Sequence, residues 1–148
     1  MAYQSLETRI GRILIENAGL KEKDLEEVLR IQKESHKKIG EILVEKNLIR
    51  PEDITKALSR QLGLPYIEDL KANEIETSCV QGLSIQFCRD NKALPLLVRD
   101  NSVRVAVIDP FNYGPVDALK LFYGKEIEVV LAVEAKLLDA INRVFERS

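Results

Sequence analysis

The apolar and polar positions of residues 9–32 recur in residues 38–61. At an offset of 29 the two segments align without a gap, and 8 of the 24 positions are identical. The identical pairs are Ile10/Ile39, Gly11/Gly40, Ile13/Ile42, Leu14/Leu43, Glu16/Glu45, Asp24/Asp53, Leu29/Leu58 and Gln32/Gln61. Self-similarity at a fixed period indicates a repeated structural unit. We therefore expect residues 1–61 to be a tandem 24-residue repeat, with residues 33–37 as a polar linker.

Each copy of the repeat is predicted to form two short helices. Apolar residues recur every three or four positions in each half of a copy, which is the period of an amphipathic helix. Pro51 stands where the second helix of the second copy would start, a position at which its missing N–H costs nothing. Gly63 and Pro65 follow the repeat and predict that this helix ends there.

Residues 62–148 contain no repeat and predict an α+β subdomain. Runs of branched residues at 93–98 and 103–108 predict two strands on either side of a turn at Asp100 and Asn101. Further elements are predicted as helices at 73–84, 113–123 and 135–145 and a strand at 127–133. The expected fold class is α+β, with the tandem helical-hairpin repeat packed with a small α+β subdomain.

Composition and charge narrow the classes of function. The chain has 148 residues, is 45% hydrophobic and 31% charged, and carries a net charge of −2. This composition is typical of a folded domain and argues against binding to a nucleic acid polymer. Cys79 and Cys88 form no CxxC pair, so free cytosolic thiols and no metal site are expected. No apolar run is long enough to span a bilayer, which predicts a cytoplasmic protein without membrane insertion.

No catalytic constellation is visible in the sequence. The phosphate-binding pattern GxxxxGK[ST] is absent, and His36 is the single histidine, which leaves no nucleophilic triad. His36 lies in the polar linker and is expected to be solvated. We therefore predict that the chain is not an enzyme and needs no cofactor.

The polar residues shared by the two copies are the candidates for chemistry. Each copy has a cation at position 1 (Arg9, Lys38), glycine at position 3 and glutamine at position 24. Glycine in a helix costs about 0.5–1 kcal/mol relative to alanine, so its repetition suggests that a ligand approaches the backbone. A helix N-terminus at the glycine would suit a phosphate, and arginine could hold a phosphate or a guanine edge.

A purely structural alternative explains the same residues. Duplication of a helical hairpin would copy Gly11 and Gly40 as packing positions and leave both glutamines in solvent. The cluster of Lys33, Lys37 and Lys38 is either a solvated surface or part of a phosphate site. Asp109, at a strand end, could accept a hydrogen bond from a guanine or an arginine, or could cap the turn at Pro110.

These residues resemble the N-terminal domain of type II secretion and type IV pilus assembly ATPases, specifically the MshE-type (MshEN) cyclic di-GMP-binding domain. That motif reads approximately RLGxxLVxxGLIxxxxLxxxLxxQ and occurs twice with a five-residue spacer. Segments 62–66, 94–96 and 105–110 of this chain extend the resemblance beyond the repeat. The departures are Lys38 for arginine, isoleucine for leucine at position 2, and Ala18 and Asn47 for glycine at position 10.

The resemblance implies that each copy takes one half of a cyclic di-GMP molecule. Apolar side chains would face a guanine, while the cation and backbone N–H groups would face phosphates and the base edge. The implied ligand-binding residues are Arg9, Ile10, Gly11, Leu14, Leu25, Leu29, Gln32, Lys38, Ile39, Gly40, Leu43, Ile54, Leu58, Gln61 and Asp109.

Three functions follow as hypotheses. The first is a non-catalytic regulatory module that couples cyclic di-GMP to a type II secretion or type IV pilus system, with an assembly protein as partner. The second is a docking module without a ligand that contacts a membrane-anchored assembly subunit. The third is a phosphate-binding regulatory domain for another nucleotide. Binding of cyclic di-GMP, measured against GTP, ATP and cyclic di-AMP, discriminates among them.

Overall fold

A computed structural model describes residues 6–148 and divides the chain after Gly63 into two compact units. The first contains helices and no strand within its described residues, 6–63, and is called the helical unit here. The second, Leu64–Ser148, combines helices with a three-stranded sheet and is called the α+β unit. The α+β fold class is confirmed. The boundary predicted between residues 61 and 62 lies two residues before this division.

The helical unit contains two helices in each copy of the repeat. They are α1 (Leu6–Ala18), α2 (Glu22–Ser35), α3 (Ile39–Glu45) and α4 (Pro51–Leu62). Pro51 is the first residue of α4, and Gly63 ends that helix with a positive φ of 68°, both as predicted. The core is formed by apolar residues of all four helices and by Leu20 in the turn after α1. Its buried members are Leu14, Leu20, Leu25, Val28, Ile39, Ile42, Leu43 and Ala57.

The helices of the two copies pack reciprocally. Helix α1 lies chiefly against α4, and α2 lies chiefly against α3. The first helix of each copy therefore packs on the second helix of the other copy. Exchanging the two copies leaves this pattern of helix pairs unchanged, as in a two-fold relation. Neither copy buries its apolar stripe by itself.

The predicted linker is shorter in the structure than in the sequence analysis. Residues 33–35 belong to α2, and only residues 36–38 lie outside the helices. His36 is exposed and takes a left-handed conformation (φ 60°) at the end of α2, where its N–H donates to the carbonyl of Gln32 at 2.9 Å. Polar residues are compatible with a helix, so polarity alone did not locate the helix end.

The α+β unit is built on a sheet with strand order β1-β2-β3. Strands β1 (Ala93–Val98) and β2 (Ser102–Val107) pair antiparallel, and β2 pairs parallel with β3 (Glu126–Leu131). Helix α6 (Tyr113–Tyr123) connects the parallel pair. Helices α5 (Ile85–Asn91) and α7 (Glu134–Arg147) contribute to a core with Leu94, Ala106 and Val130 on the sheet. These strands, α6 and α7 confirm the predicted elements to within a few residues.

The helix predicted at residues 73–84 is wrong. Two short 3-10 helices, Ala72–Glu74 and Thr77–Val80, occupy this stretch. They bury Ile75, Cys79 and Val80, so the apolar spacing is real but is not that of one α-helix. Gly82, at φ 87°, prevents a continuous helix, and α5 begins just after Ser84. Sequence analysis missed α5 because the helix has only seven residues, which is too short for an apolar period to be recognised.

Candidate ligand-binding site

The cations at motif position 1 differ in backbone conformation. Arg9 is exposed and lies within α1, whereas Lys38 is exposed and precedes α3 with an extended backbone (φ −69°, ψ 145°). Both side chains can reach an anion in solvent. Their Cα–Cβ directions differ, however, because one residue is helical and the other is not.

The glycines at position 3 are also placed differently. Gly11 lies five residues after the first residue of α1, so the predicted phosphate-binding helix N-terminus at this glycine is wrong for the first copy. In the second copy Gly40 is the second residue of α3. Gly11 is buried, and Gly40 is half-buried.

Most of the apolar candidates belong to the core of the helical unit. Leu14, Ile39 and Leu43 are at most 1% exposed, and Leu25 and Leu58 are nearly as buried. These side chains hold the helices together in this structure and present no surface to a ligand. Three candidates remain half-buried and partly accessible, and these are Ile10, Leu29 and Ile54.

The two glutamines at position 24 differ in their contacts. Gln32 is half-buried on α2. Gln61 is exposed, and its Oε1 accepts a hydrogen bond of 3.4 Å from Nδ2 of Asn17 on α1. Asn17 Nδ2 also donates to the carbonyl of Ile13 at 3.0 Å. The motif gave no signal for Asn17, because the residue at the same position of the second copy is Lys46.

Cations also begin the second helix of each copy, a feature that sequence analysis missed. Lys21 precedes α2 and Arg50 precedes α4, both at position 13 of the motif, and neither side chain caps its helix. Arg50 Nε donates to Asp53 at 3.0 Å, and this hydrogen bond, with the charges of Asp53 and Glu52, raises the pKa of Arg50. Matching the copies by charge rather than by identity would have found this pair.

The turn near motif position 10 has its left-handed residue at a different position in the two copies. Asn47 takes the left-handed conformation (φ 57°) at position 10, whereas Gly19 takes it (φ 72°) one residue later in its copy. The carbonyl of Leu43 accepts from the N–H of Leu48 at 2.9 Å, five residues on. The equivalent Leu14 carbonyl accepts from Leu20 at 3.3 Å, six residues on. The departures of Ala18 and Asn47 from glycine are thus both accommodated by local backbone changes.

Asp109 lies apart in sequence from the repeat, in the α+β unit. Its Oδ1 accepts a hydrogen bond of 2.9 Å from the N–H of Phe111, so its carboxylate closes the turn after β2. This contact favours the turn-capping alternative over a ligand contact.

The cysteines fit the expectation of free thiols. Cys79 and Cys88 are unpaired by a disulfide and buried, and burial raises the pKa of the Cys88 thiol to about 12. Within residues 6–148, no cluster of His, Cys, Asp and Glu is arranged to hold a metal ion.

Comparison with known protein families assigns the chain to one of them. The sequence model of the MshEN domain matches residues 62–148, which is more than half of the chain. The chain belongs to the MshEN domain family. The matched residues cover the α+β unit and the end of α4, so the family assignment is independent of the tandem repeat.

Relatives that share the MshEN region with this chain also cover the repeat. The type IV pilus assembly ATPase PilB of Myxococcus xanthus is 29% identical over 137 residues, 93% of this chain and 24% of that protein. The type II secretion system protein E of Xanthomonas campestris is 27% identical over 146 residues, 97% of this chain and 26% of that protein. This MshEN chain thus spans about a quarter of the length of these two relatives.

Two solved structures share the MshEN fold. The structure of MshE with cdg, cyclic di-GMP, matches with a TM-score of 0.77 at 25% identity, covering 91% of this chain and 97% of that one. The N-terminal domain of XpsE matches with a TM-score of 0.71 at 27% identity, covering 97% and 98%. Among the described residues of this MshEN chain, no helix is long and apolar enough to cross a membrane.

Proposed function

We propose that this chain is a non-catalytic regulatory module whose helical unit binds cyclic di-GMP. The observation that carries the proposal is the reciprocal packing of the two copies, which places one repeat against the other in a two-fold relation. Cyclic di-GMP is itself two-fold, so paired half-sites match its two guanines and two phosphates. The structural similarity to MshE with cdg supports the same ligand class.

The residues proposed to contact the ligand are those that the core leaves accessible. Arg9 and Lys38 are exposed and offer positive charge to phosphates. Ile10, Leu29 and Ile54 are half-buried and offer apolar surface to the guanine faces. Gln32 and Gln61 offer amides that can hydrogen-bond a base edge. The fully buried candidates set the positions of these residues by packing.

We propose that ligand binding regulates an assembly of the type II secretion or type IV pilus class, because the relatives above belong to these systems. The partner would be a subunit of that assembly. The cytoplasmic location expected from the sequence stays a prediction.

Calorimetry of the purified chain tests the proposal. Cyclic di-GMP should bind at one molecule per chain, whereas GTP, ATP and cyclic di-AMP should bind weakly or not at all. No nucleotide should be hydrolysed, because the phosphate-binding lysine motif is absent from the sequence. Equal binding of cyclic di-AMP would contradict the guanine assignment, and turnover that survives repurification would contradict the non-catalytic one.

A docking module without ligand is the second candidate, and one observation favours it. Helix α6 of the α+β unit exposes large apolar side chains, with Leu121 86% and Tyr113 66% exposed. Their spacing of eight residues places them on one side of the helix, about 12 Å apart along its axis. If calorimetry detects no binding of a cyclic dinucleotide, the docking function is favoured. Leu121→Ser should then weaken binding of the chain to an assembly subunit.

A further inference from the structure

Asn17 joins the two copies of the repeat where α1 packs on α4. It is half-buried in the last turn of α1, and its Nδ2 donates to the carbonyl of Ile13 at 3.0 Å and to Oε1 of Gln61 at 3.4 Å. A main-chain carbonyl can only accept, so Ile13 fixes which end of the Asn17 amide faces it. Asn17 therefore offers a donor to Gln61, and the atom of Gln61 that turns toward α1 is its oxygen.

This contact sets the direction of the Gln61 amide. Gln61 is exposed on α4, and among the described residues its side chain makes no hydrogen bond other than the one to Asn17. Because Asn17 holds Oε1, the nitrogen Nε2 with its two N–H groups is the end of the amide left for another molecule. An unrestrained glutamine presents either end, whereas Gln61 presents a donor.

The equivalent glutamine of the first copy is not held in this way. The residue equivalent to Asn17 is Lys46, whose Nζ pairs with Oε1 of Glu27 at 3.4 Å. Within residues 6–148 the side-chain amide of Gln32 makes no hydrogen bond. Gln32 can therefore turn its oxygen or its nitrogen outward, so the two glutamines of the motif differ in what they offer.

The direction of an amide matters because the purine bases differ at the edge that an amide reads. Guanine presents two acceptors, O6 and N7, whereas adenine presents the acceptor N7 and the donor N6 amine. An amide that offers both its oxygen and its nitrogen suits adenine, whereas an amide that offers its nitrogen suits the acceptors of guanine.

Resting on the proposed binding of cyclic di-GMP, we propose that Asn17 is a positioning residue that makes Gln61 a donor toward the base and so selects guanine over adenine in that half-site. Asn17 acts through Gln61 and lies outside the positions that the motif fixes. Gln32 discriminates less between the two bases, because it can present either end of its amide. The two bases of one ligand are therefore read with unequal selectivity.

The ratio of the affinities for cyclic di-GMP and cyclic di-AMP tests this inference. Competition against a fluorescent cyclic di-GMP measures both affinities, including that of a weak competitor. Asn17→Ala releases the Gln61 amide, so the preference for cyclic di-GMP should fall by about tenfold, the effect of one hydrogen bond to the base. The melting temperature should change little, because alanine favours the helix that loses the contact. Lys46→Ala, at the equivalent position, is the matched control and should leave the ratio unchanged.

Asn17→Asp provides a second variant with a sharper expectation. Its carboxylate only accepts, so Gln61 should turn Nε2 toward it and Oε1 toward the base. The preference for cyclic di-GMP should then fall below that of Asn17→Ala. The two dinucleotides carry the same charge, so repulsion between the new carboxylate and the phosphates cancels in the ratio.

The outcomes separate this inference from the proposed function. An unchanged ratio in Asn17→Ala, with or without a lower melting temperature, would overturn the inference and leave cyclic di-GMP binding in place, since Asn17 would then only join α1 to α4. A fall in Lys46→Ala as large as in Asn17→Ala would also overturn it. A folded wild-type chain that binds no cyclic di-GMP would overturn the proposed function and this inference together.

Discussion

Helices begin differently in the two units of the molecule. In the α+β unit, α5 follows Ser84 and α6 follows Asn112, and both side chains accept a hydrogen bond from an N–H of the first turn. In the helical unit, α2, α3 and α4 follow Lys21, Lys38 and Arg50, none of which caps its helix. Side-chain caps thus begin α5 and α6 of the α+β unit, although α7 follows Val133 without a cap, and cations precede three helices of the helical unit.

The two kinds of helix start differ in their expected effect on the free energy of unfolding. A good N-cap contributes about 0.5–2 kcal/mol, and a cation near a helix N-terminus opposes the helix dipole. Acidic residues in the first turns, such as Glu22 in α2 and Glu52 in α4, partly offset the cations. The α+β unit thus places polar caps at two helix starts, whereas the helical unit keeps cations at three, of which Arg50 pairs with Asp53 at 3.0 Å.

The largest expected effect is on the core of the helical unit. Leu14→Ala should lower the free energy of unfolding by about 2–5 kcal/mol, because it empties a fully buried position. Affinity of the folded protein for cyclic di-GMP should change little. Thermal unfolding and calorimetry measure the two quantities, and Leu119→Ala, fully buried in the α+β unit, is the matched control. Lost affinity at an unchanged melting temperature would make Leu14 a ligand residue.

Arg9→Ala should weaken cyclic di-GMP binding by about 1–3 kcal/mol, the cost of losing a charged bidentate contact. Melting temperature should hardly change, because Arg9 is exposed. Arg12→Ala is the matched control, since Arg12 is also exposed on α1 but pairs with Glu22 at 2.7 Å. If Arg12→Ala weakens binding as much as Arg9→Ala, general charge and not the motif position is responsible.

Removing a capping side chain in the α+β unit and adding one in the helical unit should change the free energy of unfolding in opposite directions. Ser84→Ala should lower the free energy of unfolding by about 1 kcal/mol, and Lys21→Ser should raise it by a similar amount. Chemical denaturation of each variant beside the wild type measures both changes. A loss of stability in Lys21→Ser would show that Lys21 has a structural contact of its own and would remove it from the comparison.

The smallest expected effect concerns Lys38. Lys38→Arg should tighten cyclic di-GMP binding by up to about 1 kcal/mol, because it adds bidentate geometry without adding charge. The salt dependence of binding should therefore stay nearly constant, and Lys38→Ala should cost less than Arg9→Ala. Titrations of these three variants and the wild type with cyclic di-GMP at two salt concentrations measure the affinities and their salt dependence. If Lys38→Ala is the most damaging change, then Lys33, Lys37 and Lys38 act together as a phosphate clamp.

Local signals in the sequence located most elements of the fold. The helix predicted at residues 113–123 has the bounds of α6, because Asn112 can cap its start and Gly124 ends it in the left-handed conformation. The strand predicted at residues 93–98 has the bounds of β1. The helix predicted at residues 73–84 failed, because buried residues at intervals of four also arise from successive 3-10 turns.

The candidate site was less accessible to sequence reasoning. The repeat identified which positions to consider. The sequence alone does not distinguish an apolar residue that faces a ligand from one that faces the core. Leu14 and Ile54 both occupy apolar motif positions, yet the first is fully buried and the second is partly accessible. Asn17 carried no signal, because its hydrogen bond to Gln61 joins residues 44 positions apart.

The sequence by itself determined the two-copy repeat, the class of fold and the chemistry available at each motif position. These properties follow from local periodicity, capping residues and residue type, which act over a few neighbours. The tertiary structure decided which of these residues are accessible and how the copies differ. Gly11 is sealed by Leu25 whereas Gly40 stands clear of Ile54, because helix packing, and not the identity of the residue, sets the space around each glycine.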